Sequence, residues 1–169
     1  MFTRGNSFKV LAAALVASAL ACSRNSAGPT DGGTDSLNAT IDGQPFNASV
    51  MAANVLTVNG APSLSIVGFN GCQGDTSLAI NLRPAIVGTH VAGQGGSSAS
   101  GGLNRMAGGQ STGVWQSTGG TMTITSLSST RVAGSFSFPV LTPLGGGTTG
   151  NRSIANGTFN IQIADRKLC

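Results

Sequence analysis

The sequence predicts an all-β protein, a single antiparallel β-sandwich or partly closed barrel of about eight or nine short strands. Three observations predict this fold class. From Leu37 onward apolar and polar residues alternate, and no helical period continues beyond one turn. Gly, Asn and Asp recur between these segments, as in tight hairpin turns. The chain of 169 residues has 26 Gly, 8% charged residues and no Glu, a composition that disfavours exposed helix faces.

The first element is an apolar run at the N-terminus. Arg4 and Lys9 precede Val10–Leu20, and the small-residue end Ala19-Leu20-Ala21 precedes Cys22. A basic start, a short apolar run and such an end are the parts of a secretory signal peptide. A membrane-spanning helix needs about 20 apolar residues, so this run is too short to remain as an anchor. We therefore predict that residues 1–21 are a signal-peptide helix that is removed.

Two kinds of cleavage fit this site. Ala-Leu-Ala suits ordinary signal peptidase, which would release a secreted or periplasmic protein. Residues 19–22 also resemble the lipobox of bacterial lipoproteins, with Ala19 where Leu or Val is usual. This resemblance implies that Cys22 carries a diacylglycerol group, becomes the new N-terminus and attaches the protein to a membrane. Ser23, in place of the Asp that commonly retains such proteins in the inner membrane, further implies the outer membrane of a diderm bacterium.

A polar linker and a pair of cysteines follow from this export signal. Residues 23–36 read SRNSAGPTDGGTDS, with no large apolar side chain, which predicts a flexible tether with a root-mean-square span of roughly 20 Å. The predicted organisation is therefore a lipidated cysteine with its linker over residues 22–36 and a β domain over residues 37–169. If Cys22 is acylated, Cys72 and Cys169 remain, and an oxidising compartment favours a disulfide between them.

Turn residues divide the first half of the domain into strands. Asp42-Gly43 predicts a hairpin, because both central residues of a type I′ turn need positive φ. Asn59–Pro62 predicts a second hairpin, and Asn70-Gly71 closes the strand that follows it. The alternating segment 77–83 is a further half-buried strand, which Pro84 ends.

The second half shows clearer alternation. Met122 and Ile124 mark one strand, residues 132–138 mark the next, and residues 159–163 form the last, after Asn156-Gly157. Each has the period of two that a half-buried strand requires.

Glycine-rich segments interrupt this pattern. Between Gly93 and Gly120 there are ten Gly in 28 residues, and Gly113–Ser117 is predicted to be a short strand within that stretch. The preceding part, Gly93–Thr112, has too little apolar surface to become ordered, so we predict a long mobile loop. Thr142–Asn151 is predicted to be a shorter loop of the same kind. Either loop is a spacer or a segment that orders on a partner.

Several of these segments together resemble a small bacterial lipoprotein domain of unknown function. The similar segments are residues 39–46, 120–127, 132–138 and 156–159, and Gly88-Thr89-His90 stands where that family often has Gly-Thr-Tyr. The resemblance covers roughly residues 37–163. It implies an all-β fold in a tethered, exported protein, and it implies no reaction.

Catalytic and metal-binding patterns are weak. His90 is the one possible base of a Ser-His-Asp triad, but no Ser lies in a G-x-S-x-G turn. We therefore predict that His90 is a strand residue at the edge of the core. Asp31 and Asp35 lack the spacing of a calcium loop. The sequence predicts no enzyme activity, no metal site and no cofactor.

The charge distribution disfavours nucleic acid as a partner. Beyond residue 21, seven Arg and Lys face five Asp and are scattered along the chain, whereas nucleic-acid binding requires a concentrated basic face. The predicted function is a non-enzymatic cell-envelope lipoprotein, a structural or interaction module for an envelope protein or a glycan. The alternative is a carbohydrate-like ligand-binding module that uses Trp115, with the Gly93–Thr112 loop as its mouth.

Overall fold

The computed structural model describes residues 33–72, 75–93, 98–145 and 148–164, and these residues form an all-β domain. The predicted signal peptide, the lipidation site Cys22 and the linker up to residue 32 lie outside the described residues. The predicted fold class is confirmed, and the described residues form eleven strands in place of eight or nine. The strands are β1 (Ser36–Ile41), β2 (Gln44–Asn47), β3 (Val50–Val58), β4 (Ala61–Phe69), β5 (Thr76–Leu82), β6 (Gly88–Val91), β7 (Ala99–Ala107), β8 (Gln110–Ser117), β9 (Thr121–Leu127), β10 (Arg131–Pro143) and β11 (Arg152–Gln162).

All strands belong to one open antiparallel sheet. Its order is β2-β1-β11-β10-β8-β7-β5-β4-β3, and β9 pairs with β10 while β6 pairs with β9. The strand that allows this branching is β10, which has 13 residues and pairs along its length with β11. On its other edge, residues 132–137 pair with β9 and residues 141–143 pair with β8. The sheet is therefore divided at β10, where a register shift between Phe138 and Leu141 marks the change of partner.

The sheet folds over itself, so that distant strands pack face to face. A side chain at Gly68 of β4 would meet Leu37 of β1, and one at Gly101 of β7 would meet the ring of Phe138 of β10. The open edge of β3 also touches the end of β11, because Ala53 forms an isolated parallel bridge with Ile163. The result is a sandwich that approaches a barrel without closing.

The space between these faces holds the core. Alternating residues of nearly every strand supply it, as the sequence pattern predicts. The large side chains that are fully buried include Leu37, Leu64, Ile66, Leu78, Ile80, Leu82, Leu103, Met122, Ile124, Phe138, Leu141 and Ile154.

The two predicted hairpin turns are present. Asp42 and Gly43 have φ of 49° and 80°, and Asn59 and Gly60 have φ of 49° and 78°. Both central residues of each turn thus adopt the left-handed conformation that a type I′ turn requires.

The predicted long loop over Gly93–Thr112 is wrong. Residues 99–107 form β7, which pairs with β5 on one side and β8 on the other, and β8 begins at Gln110. The glycine-rich composition suggested a loop, but glycine is needed here for close packing between strands. Gly101 lies where a Cβ atom would be 2.3 Å from the Phe138 ring, while Leu103 and Ala99 contribute to the core.

Two other boundaries also differ from the predictions. Asn156-Gly157 lies within β11, where shifted pairing with β1 and β10 indicates a β-bulge. The Gly157 position is filled on its side-chain face by the Phe136 ring, 2.4 Å from an ideal Cβ. The second predicted loop starts later than Thr142, because β10 continues to Pro143.

Candidate functional site

A polar cleft lies between the hairpin strand β2 and the turn that joins β4 to β5. Its volume is about 390 Å³, near the lower end of the range for small-molecule sites. The lining residues are Ile41, Gln44, Pro45, Phe46, Asn47, Asn70, Asp75, Thr76 and Arg105.

One wall of the cleft is a hydrogen-bonded network around Asp75. The Asn70 side-chain amide donates to Asp75 Oδ1 at 2.7 Å, and the Thr76 hydroxyl donates to the same oxygen at 3.0 Å. Arg105 reaches across from β7 and donates to the Thr76 hydroxyl oxygen at 2.7 Å. The Asn70 side-chain oxygen in turn accepts from the Thr76 backbone amide at 3.2 Å. The network therefore fixes the start of β5 against the end of β4.

This arrangement lowers the pKa of Asp75 below its ordinary value of 3.8. The hydrogen bond from Asn70 contributes most, followed by the hydrogen bond from Thr76, and the positive charge of Arg105 adds to them. All three favour the ionised carboxylate, which is partly opposed by desolvation. The cleft thus holds one fixed carboxylate beside one guanidinium.

The cleft also offers hydrogen-bonding groups that the described part of the chain leaves unused. Both hydrogen bonds to the Asp75 carboxylate use Oδ1. Arg105 commits one nitrogen to Thr76, and the side-chain amides of Gln44 and Asn47 also line the cleft. Donors and acceptors of balanced charge suit a neutral polar ligand.

The edge of β2 beside the cleft is poorly suited to pairing with a strand from a partner peptide. β2 is an edge strand of four residues, and Pro45 in it has no backbone N–H to donate. A short edge with a proline is a common protection against strand pairing.

Trp115 lies on β8 and does not line the cleft. Its side chain is 4% exposed, its indole N–H donates to the Gly150 carbonyl at 2.8 Å, and the Arg152 guanidinium lies 4.8 Å from the ring centroid. Both the ring and its polar group are therefore occupied within the domain.

His90 lies on β6 and is 9% exposed. Its Nε2 is 2.9 Å from the Ile86 carbonyl oxygen, so this nitrogen carries the proton and donates. Among the described residues, this is the one hydrogen bond of the ring, and neither a Ser nor an Asp completes a triad with it.

Cys72 lies just after β4 and takes part in a disulfide. Cys22 and Cys169 both lie outside the described residues, so the predicted pairing of Cys72 with Cys169 stays a prediction.

Sequence reasoning did not identify the cleft. Sequence patterns single out neither Asp75 nor Arg105. The turn signal Asn70-Gly71 was the available clue, because an Asn beside a turn can bond a nearby carboxylate. The approach of β2 and β7 to this turn depends on tertiary packing, which local patterns do not contain.

The described residues contain no cluster of three or more metal-ligating side chains. No helix within these ranges has the length and apolar character needed to cross a membrane. No family model, curated protein or solved structure matches the chain.

Proposed function

We propose that the protein is a non-enzymatic, lipid-anchored module of the cell envelope that presents its polar cleft away from the membrane. The anchor would be Cys22, in keeping with the lipobox-like residues 19–22 and the resemblance to small bacterial lipoprotein domains. The observation that carries the proposal is the way the domain holds the chain where the predicted tether enters it.

That junction is built around Arg131. Its side chain is 6% exposed and lies 3.2 Å from Asp35 Oδ1, which is 16% exposed. The guanidinium also donates to the Gly33 carbonyl at 2.6 Å and to the Asn160 side-chain oxygen at 2.9 Å. Asp35 Oδ1 accepts from the Gln162 backbone amide at 3.0 Å. A force on the tether would therefore be transmitted to β10 and β11, in the centre of the sheet, before β1 separated from its neighbouring strands.

The cleft lies at the opposite end of β1 from this junction. Ser36 of β1 pairs with Asn160, close to the junction, whereas Ile41 at the other end lines the cleft. The two ends are separated by about 17 Å at 3.3 Å per residue. A domain anchored through Gly33 would thus turn the cleft outward, where an envelope protein or a glycan can reach it.

The disulfide of Cys72 supports export, because disulfides persist in oxidising compartments. Export without lipid, to the periplasm or the medium, is the alternative. With lipid, Ser23 in the position after the cysteine supports the outer membrane.

A detergent phase-partition assay of the full chain expressed in a diderm bacterium tests the anchor. The wild type should enter the detergent phase, and Cys22→Ala should move to the aqueous phase. Ser23→Ala is the matched control and should behave as the wild type. A wild type that is already aqueous would overturn the lipid anchor in favour of simple secretion.

The cleft supports a second candidate function, the binding of a saccharide or similar neutral polar ligand. Vicinal hydroxyl groups both donate and accept, as the side chains of Asp75 and Arg105 would require. This candidate moves the binding site away from Trp115, which is buried. Retention on immobilised envelope polysaccharide should be lost in Arg105→Gln and kept in Arg83→Gln; equal retention of both variants would contradict it.

A further inference from the structure

Four exposed aliphatic side chains form what we call the apolar tip: Leu56, Val58, Ile86 and Val87. They are 63%, 40%, 51% and 59% exposed, respectively. Leu56 and Val58 belong to the β3–β4 hairpin, and the other two belong to the segment between β5 and β6. Exposed aliphatic residues that gather at one place mark an interaction surface more often than scattered ones do.

Hydrogen bonds join the two parts of the apolar tip. Arg83 donates through its guanidinium to the Val58 carbonyl at 2.8 Å, and the Ala85 amide donates to the Pro62 carbonyl at 2.8 Å. The buried side chain of His90 also holds the segment between β5 and β6 in place, because its Nε2 donates to the Ile86 carbonyl at 2.9 Å. The tip is therefore a built surface that the buried face of β6 supports.

The β3–β4 hairpin projects beyond the rest of the sheet. β3 runs parallel to β11 where Ala53 bridges Ile163, just past the end of β11. Val58 lies five residues further along β3, which places it about 17 Å beyond that bridge at roughly 3.3 Å per residue.

The β3–β4 hairpin projects from the same end of the domain as that at which the predicted tether enters. Thr130 accepts a hydrogen bond from the Ile163 amide at 2.7 Å, and the adjacent Arg131 holds the Gly33 carbonyl. Gly33 lies eleven positions after Cys22, and the flexible tether predicted from the sequence would have a root-mean-square span of about 18 Å over that length. The span of the tether and the distance by which the hairpin projects are therefore similar. This comparison rests on the proposed lipid anchor.

The charges of the described residues leave one cation without an ion pair beside the tip. At the opposite end, Asp42 is paired with Arg152 and Asp75 lies beside Arg105, while Asp35 is paired with Arg131. Arg83, beside the apolar tip, forms no ion pair with a described carboxylate. An aliphatic surface with one cation beside it suits a bilayer that contains anionic lipid.

We propose that the apolar tip rests in the lipid surface to which Cys22 is attached. The acyl chains hold the protein at the membrane, and the β3–β4 hairpin with the Ile86-Val87 segment sets its orientation. The domain then stands with its tip in the interfacial region and its cleft toward the aqueous side.

Brominated lipids, which quench tryptophan fluorescence at short range, test this contact. The full-length lipidated chain is purified from membranes and reconstituted in vesicles of zwitterionic and anionic phospholipid, with or without bromine on the acyl chains. Val58→Trp reports on the tip. Leu144→Trp is the matched control, because Leu144 is a 53% exposed aliphatic residue beyond β10, at the opposite end. The wild type, with Trp115 alone, gives the baseline.

We expect brominated lipid to reduce the added emission of Val58→Trp at least twofold, and to leave Leu144→Trp and the wild type nearly unchanged. Equal quenching at both positions, or none, in protein that floats with the vesicles overturns the contact while leaving the anchor intact. Protein that fails to float overturns the anchor and the contact together. A shielded Val58→Trp in lipid-free, dimeric protein would assign the tip to a second copy of this chain and likewise overturn the proposal.

Discussion

The guanidinium of Arg131 donates to the carbonyl oxygen of Gly33 at 2.6 Å, across 98 positions of the chain. This bond attaches a residue that precedes the first strand to the start of a central strand. The same guanidinium neutralises Asp35, so the start of the folded domain depends on one buried cation.

Asp35→Asn should destabilise the protein by about 3 kcal/mol, because loss of one partner leaves the buried Arg131 without its counter-charge. The control is Asp42→Asn, which removes an exposed ion pair to Arg152 at 3.0 Å and keeps a residue that tolerates positive φ. That change should cost at most about 1 kcal/mol. Urea unfolding monitored by circular dichroism measures both. Equal costs would show that the junction is no stronger than a surface pair.

Adjacent glycines of β7 should respond differently to alanine. Gly101→Ala places a methyl group against the Phe138 ring and should cost about 2 kcal/mol or more by overpacking. Gly102→Ala, whose ideal Cβ is 3.8 Å from the nearest atom, should change the unfolding midpoint little. A mobile loop at this position would tolerate both substitutions equally, and that result would contradict the strand assignment.

Trp115 should behave as a core residue. We expect native emission at short wavelength, weak quenching by iodide, and a red shift on unfolding. Trp115→Phe removes the donor to the Gly150 carbonyl and should cost about 1 to 3 kcal/mol, since that oxygen loses its partner. Strong iodide quenching of the native protein would instead place the indole at the surface.

The Asp75 network should make part of the stability pH-dependent. A carboxylate with a lowered folded-state pKa stabilises the native state above its unfolded pKa of about 3.8, and this contribution is lost as the pH falls through the lower folded value. When the pH is lowered from 5 to below 3.8, the melting temperature of the wild type should therefore fall by more than that of Asp75→Asn. Parallel melting curves of the two proteins over that range would argue against the network.

The partner of Cys72 can be identified by labelling thiols in denatured, non-reduced protein. If Cys72 pairs with Cys169, Cys169→Ser should release one reactive thiol at Cys72, whereas Cys22→Ala should release none. The opposite result would assign the bond to Cys22, and acylation of Cys22 would then be excluded in that molecule.

Local patterns predicted the strands well where side chains alternate and turns need positive φ. Asp42-Gly43 and Asn59-Gly60 are examples, because the backbone requirement lies in the residues themselves. Prediction failed at Gly101, where glycine is required by a ring 37 positions away, and at Asn156-Gly157, where a turn-like pair forms a bulge within a strand. The cleft was missed for the same reason, since Asp75 and Arg105 meet only when β5 pairs with β7.

The pairing of β1 with β11 joins the first strand to the last. While the polypeptide is being made, β3 to β5 can form a meander as soon as they emerge, but β1 has no long partner strand until residue 162 is available. Such long-range pairing slows folding, because a large loop must close before the contact is gained. A chain still being threaded through a narrow pore would therefore remain unfolded at its leading edge, and the domain would assemble only once its final strand had arrived.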